Sequence, residues 1–164
     1  MKKGLLLIST SLVLLTLFAL SLRYLQFIDT KPDIILIVVI YIAIAFDNAL
    51  DILIAFVLGY LADIFSGSPV GLFVMMRTVA FVVVRFLNMN FFSKNALFFI
   101  IITFIASILD SIYLGYQFES AGSTFISIML SAIYIGLINM ISALIMYPLL
   151  QKIEGFYLKT VPEA

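Results

Sequence analysis

Gly59-Tyr60-Leu61-Ala62-Asp63-Ile64-Phe65-Ser66-Gly67-Ser68-Pro69-Val70-Gly71 is the stretch on which the reading of this chain turns. It lies between two strongly apolar runs and sets one carboxylate, Asp63, at the end of a hydrophobic helix. A turn follows at once, made of Gly67, Pro69 and Gly71 among small hydroxyls, the residue types that turns require. An ionisable side chain at membrane depth is expensive, so a carboxylate held beside a tight break has a structural or functional reason to be there.

The flanking runs set the class. Of the 164 residues, 65% are apolar and only 11% charged, and the mean hydropathy is +1.26. So little polar side chain cannot cover a globule in water, and lipid must solvate much of the surface. Nine basic residues balance nine acidic ones, which argues against nucleic acid as a partner. Cysteine, histidine and tryptophan are absent. That removes disulfides, zinc or haem ligation through His or Cys, and hydrolase triads that need histidine.

Polar punctuation divides the chain into six apolar runs, at about Gly4–Leu22, Pro32–Phe46, Ala49–Phe65, Val70–Leu87, Ala96–Tyr116 and Ser123–Leu150. They predict an all-α membrane protein of six transmembrane helices, forming a single integral-membrane domain over residues 1–164. The second and third runs are short against the ~20 residues that cross a hydrocarbon core. They either cross a locally thinned bilayer or form a tilted, partly re-entrant hairpin. With the N-terminus inside, Lys2, Lys3, Arg85, Lys94, Lys152 and Lys159 fall on the cytoplasmic side, and only Arg23 and Lys31 fall outside. The positive-inside rule therefore places both termini in the cytoplasm. Met1-Lys2-Lys3 and the apolar stretch before Ala19-Leu20-Ser21 also have the look of a signal peptide. The run continues to Leu22, longer than such segments usually are, so a retained first helix is expected. Connections are short, no extramembrane domain is expected, and function must lie in the bundle or on its surface.

Three ionisable residues fall within or beside these helices: Asp63, Arg77 and Asp110. Counted at ~1.5 Å per residue, Arg77 and Asp110 lie about 10 Å below the outer boundary, and Asp63 is shallower. An Arg77–Asp110 or Arg77–Asp63 ion pair is expected, either fixing helix register or contacting a partner helix or ligand. Arg85, two turns beyond Arg77, is expected to snorkel to the cytoplasmic boundary. Small residues recur four apart: Ala55 and Gly59, Ser107 and Ser111, Ser123, Ser127 and Ser131, and Ala132 and Gly136. This spacing lets membrane helices approach closely, within the bundle or against another protein. Asn139 is a candidate interhelical hydrogen-bonding group. Asp47, Asn48 and Asp51 form an acidic cytoplasmic turn that either caps the third helix or docks a basic partner. Pro148 and Gly155 have the character of helix stop signals.

Lys31-Pro32-Asp33 opening an apolar helix, followed by Gly59-x-x-x-Asp63-x-x-Ser66-Gly67-Ser68-Pro69-x-Gly71, resembles the MreD family of bacterial rod-shape-determining membrane proteins. Size, span count and lack of soluble parts agree with that family over essentially the whole chain. The resemblance implies a multi-pass protein of the bacterial inner membrane, with no enzymatic activity and no cofactor. It implies work in lateral cell-wall elongation with MreC, MreB, RodA and a class B penicillin-binding protein. It also implies a fold similar to the substrate-binding S components of energy-coupling-factor transporters. Asp63, Gly67, Pro69 and Gly71 match the family motif, whereas Arg77 and Asp110 are singled out by depth alone.

Two rival functions follow. An S component would bind a vitamin-sized molecule, but such proteins generally dock through Ala-x-x-x-Ala on an early helix, and the first run has Ala19 alone. Its outer connections also lack the polar and aromatic residues of such a pocket. An intramembrane enzyme or proton-coupled transporter would use Asp110, for which Arg77 is the one polar partner in view.

Overall fold

The computed structural model describes residues 32–160 except 47, 49, 67, 68, 70, 92–94 and 119–123. The expected first span and its possible cleavage lie outside the described residues, as do Asp47 and Gly67. The described chain is all-helical: α1 (Ile34–Ala45), α2 (Asp51–Ser66), α3 (Leu72–Phe91), α4 (Ala96–Phe118) and α5 (Phe125–Thr160).

Helix α1 is apolar on every face, Ile-Ile-Leu-Ile-Val-Val-Ile-Tyr-Ile-Ala-Ile-Ala, and a helix of that kind must be enclosed. Every residue from Leu36 to Ala45 is buried, and α1 touches all four other described helices. Its 12 residues extend ~18 Å, less than the ~30 Å of a hydrocarbon core. The short second run is thus the axis of the bundle, sheathed by its neighbours.

Both ends of α1 are closed by side chains. At its start Asp33 Oδ1 accepts the Leu36 N–H at 2.9 Å, an N-cap that satisfies one of the helix's orphan donors. At its end Asn88 Nδ2 donates to the Ile44 carbonyl at 3.2 Å and Arg85 Nη1 to the Ala43 carbonyl at 3.4 Å. Arg85 therefore reaches the C-terminus of α1, where a cation is favoured.

The outer helices pack as two antiparallel pairs, α2 on α3 and α4 on α5. Gly59 explains the first. A Cβ there would stand 2.7 Å from Val74 Cα and 2.9 Å from the Phe73 carbonyl oxygen, so the two backbones meet with no room for a side chain. Ala55, one turn earlier, is buried beside it, which makes this small-residue pair an intramolecular contact. Ala132 and Gly136 are likewise buried on α5, whereas Ser127 is half-buried and Ser131 is exposed.

Near the opposite end of the bundle, Tyr41, Phe99 and Tyr147 from α1, α4 and α5 form an aromatic cluster with centroids 5.3 to 6.2 Å apart. Edge contacts of this kind add to apolar burial. The Tyr41 hydroxyl donates to Glu154.

That bond explains a departure from expectation. Pro148 and Gly155 do not stop α5, which runs 36 residues to Thr160. A proline removes one backbone donor, a loss that membrane helices absorb when the continuation is held elsewhere. Here Leu150 is buried and Glu154 is tied to α1. Asn48 and Asp51 do cap α2: Asp51 Oδ2 accepts the Asn48 N–H at 3.2 Å, and Asn48 Oδ1 accepts the Leu50 N–H at 3.1 Å.

Leu53, Phe56, Tyr60, Ile64, Val79, Val83, Leu109, Leu130 and Ile141 point outward and exposed. Among the described residues, three helices carry stretches long and apolar enough to cross a membrane: Leu72–Met89, Ala96–Gln117 and Phe125–Gly155. The outward apolar faces need lipid or protein around them.

Candidate functional site

Asp63, Arg77, Asp33 and Asp110 gather toward the end of the bundle where α2 turns into α3. Two constellations form there. In the first, Asp63 closes the turn. Its Oδ2 accepts the Gly71 N–H at 2.7 Å and the Val74 N–H at 3.4 Å, and its Oδ1 accepts the Phe73 N–H at 2.7 Å. These donors belong to the first turn of α3, which has no preceding helical carbonyls to bond. A carboxylate at that position also meets the positive end of the helix dipole. Gly71 carries φ +106°, a conformation side-chain-bearing residues rarely adopt, and this brings its N–H round to Asp63. Pro69 provides the carbonyl that accepts the Leu72 N–H at 3.3 Å. Asp63 is 1% exposed, so all of this lies in low dielectric, where a multiply bonded carboxylate is favoured over a bare one.

In the second constellation Arg77 is fully buried and bridges two carboxylates, Asp33 at the start of α1 and Asp110 on α4. Its guanidinium carbon also lies 5.3 Å from the Phe73 ring centroid, a cation–π contact. Of the two pairings that the sequence suggests, Arg77–Asp110 is present. Asp63 is not Arg77's partner, because the start of α3 takes both its oxygens. Asp33 takes that place. One of its oxygens caps α1 and the other binds Arg77.

The network extends further. The Asp33 N–H donates to Asn139 Oδ1 at 2.7 Å, and Asn139 Nδ2 donates to the Ser107 hydroxyl. Four helices, α1, α3, α4 and α5, are thereby tied by one polar chain. A cavity of about 300 Å³ opens beside it, lined among others by Asp33, Ser107, Asp110, Ser131 and Asn139.

Two carboxylates share one guanidinium here, so this cluster of described residues carries a formal excess of one negative charge. Arg77 is fully buried while the Asp33 and Asp110 side chains keep partial exposure, so removing a carboxylate is costly chiefly because the arginine's charge is left away from water. Its evident chemical effect is to fix the register of four helices. Asp51 is buried in its capping turn, about the length of α2 away from Asp63, and joins neither constellation. Among the described residues no group of three His, Cys, Asp or Glu is placed to hold a metal ion.

Asp33 and the Tyr41–Glu154 bond are the participants that sequence reasoning missed as functional groups. The Lys31-Pro32-Asp33 motif pointed at the first, but its second bond spans 44 positions, and the Tyr–Glu bond spans 113.

No curated protein and no solved structure matches this chain. A family does: the model described as rod shape-determining protein MreD matches residues 2–156.

Proposed function

Since the chain belongs to the MreD family of rod shape-determining membrane proteins, we propose that it is a non-enzymatic scaffold of the lateral cell-wall elongation complex. In this reading it crosses the bacterial inner membrane six times with both termini inside. It binds MreC and helps to organise MreB, RodA and a class B penicillin-binding protein. The family match over residues 2–156 carries the reading. The geometry agrees with it: Asp63 and Arg77, both buried, and Asp33 and Asp110, both partly buried, all bond other parts of the bundle. A scaffold needs that rigidity, since a partner surface holds its shape only if the helices behind it do not slide.

Purification of the tagged chain from membranes of its own bacterium tests this directly. The scaffold reading expects MreC to be retained in fixed proportion; loss of MreC under conditions that keep the chain folded would contradict it. The cavity beside Arg77 favours a second reading, a bundle that binds a small molecule in the manner of an S component. Its size, about 300 Å³, is at the low end of ligand pockets. Release of a vitamin-sized compound on denaturing the purified protein would support that reading.

A further inference from the structure

Helix α5 changes character at Pro148. Up to that point it packs along α4, and Tyr147 enters the aromatic cluster with Tyr41 and Phe99. Pro148 lies inside the helix and has no N–H to give the Leu144 carbonyl one turn back. Sharp bends in helices concentrate at such positions.

Beyond the proline the anchors thin out. Leu150 is the last α5 residue in the apolar core of the described residues. Gln151 donates to the Tyr147 hydroxyl at 3.0 Å, a bond within α5 itself, and both Gln151 and Lys152 are exposed. A Cβ at Gly155 would meet nothing within 4 Å. Among the described residues, the hydrogen bond that carries this segment to another helix is the one from the Tyr41 hydroxyl to Glu154. Tyr41 is itself held fast, only 5% exposed and set edge-on against Phe99 and Tyr147. One end of the bond is thus fixed in the core, while the other rides on the far side of a proline.

We propose that α5 beyond Pro148 is a hinged arm and that the Tyr41–Glu154 bond is its catch. Leu150, two residues past the hinge, moves little when the helix bends there. Glu154 stands on a lever of ~9 Å, and position 155 swings by ~4–5 Å for a bend of ~20–30°. With the catch made, the arm stays seated beside α1. With it broken, the arm swings out and leaves the Tyr41 hydroxyl and the edge of the aromatic cluster open. A hydrogen bond of this kind shifts an equilibrium by about tenfold, so a modest contact made with the arm decides between its two positions.

The chain has no native cysteine, so spin labels on Leu50→Cys, beside the start of α2, and Gly155→Cys report the arm by pulsed electron double resonance in lipid nanodiscs. An otherwise wild-type chain is expected to give one dominant distance. Tyr41→Phe keeps the ring, and is expected to raise the odds of a second distance, displaced by ~4–5 Å, about tenfold. Glu154→Ala should do the same, whereas Glu154→Gln keeps an acceptor oxygen and should stay within about threefold of the wild type. Adding Pro148→Ala to Tyr41→Phe returns the backbone donor and is expected to restore the single distance. A control pair at Leu97 on α4 and Leu137 on α5, ahead of the proline, should not change in any variant. A Tyr41→Phe distribution that matches the wild type overturns the catch, and so does Glu154→Gln as open as Glu154→Ala. A second distance that survives Pro148→Ala overturns the hinge. A control pair disturbed as much as the arm means that the whole bundle has loosened, and this too overturns the proposal, as does a wild-type chain already spread over both distances equally.

Discussion

Replacing Asp63 by alanine offers the sharpest test of how the turn is held. The carboxylate accepts two 2.7 Å bonds, from Gly71 and Phe73, and a longer one from Val74. Hydrogen bonds to a charged group contribute about 1.5–3 kcal/mol each. An orphaned buried donor costs about 1–3 kcal/mol. Asp63 is almost fully buried, so solvent does not screen these bonds. The gain is offset in part because Asp63→Ala also removes the desolvation cost of the carboxylate. The balance is a loss of about 3–4 kcal/mol, dominated by the two short bonds. Asp63→Asn keeps one acceptor oxygen but loses the charge opposite the helix dipole, and is expected to cost about 1.5–2.5 kcal/mol. Unfolding of the purified protein by graded sodium dodecyl sulfate in mixed micelles, followed by helical circular dichroism, gives both values. A loss under about 1 kcal/mol for Asp63→Ala, or an Asn variant as damaging as the Ala variant, would refute the capping argument.

Three other outcomes follow from the packing. Arg77→Met leaves the partly exposed Asp33 and Asp110 unpaired and is expected to cost about 2–3 kcal/mol in the same unfolding assay, less than for fully buried charges; adding Asp33→Asn and Asp110→Asn should recover most of that loss. Gly59→Ala forces a Cβ against the Val74 backbone and is expected to cost about 1–3 kcal/mol, with Gly59→Leu failing to accumulate in membranes. Tyr41→Phe keeps the aromatic cluster but loses the bond to Glu154. Its expected cost is about 1–2 kcal/mol, with faster hydrogen exchange at the end of α5 beyond Pro148.

Much of the fold is readable from composition and periodicity, because lipid imposes simple demands on length and polarity. The runs at 96–116 and 70–87 lie within two residues of α4 and within four of α3 at each boundary. The uniform apolarity of α1 already requires its enclosure, though not by which helices. Local rules fail where a residue's partner is remote. Asp63 reads as the end of one helix, while in the structure it caps the next one across the turn. A capping signal sought immediately before Leu72 does not include it. Asp33 reads as punctuation, and its cap on α1 is local; its bond to Arg77 depends on how α1 sits against α3. Pro148 carries a stop signal that Leu150 and Glu154 override through contacts with the rest of the bundle.

The central claim is that these polar contacts hold a scaffold together and that the scaffold keeps cells rod-shaped. Cell shape in a deletion strain, carrying either empty plasmid, the wild-type chain or Asp63→Asn, tests it most directly. The account predicts round cells without the protein and rods with the wild-type chain. With Asp63→Asn, rod shape should return in proportion to the folded protein in the membrane. Rods in the empty-plasmid strain would contradict it, and so would round cells holding Asp63→Asn folded at the wild-type level.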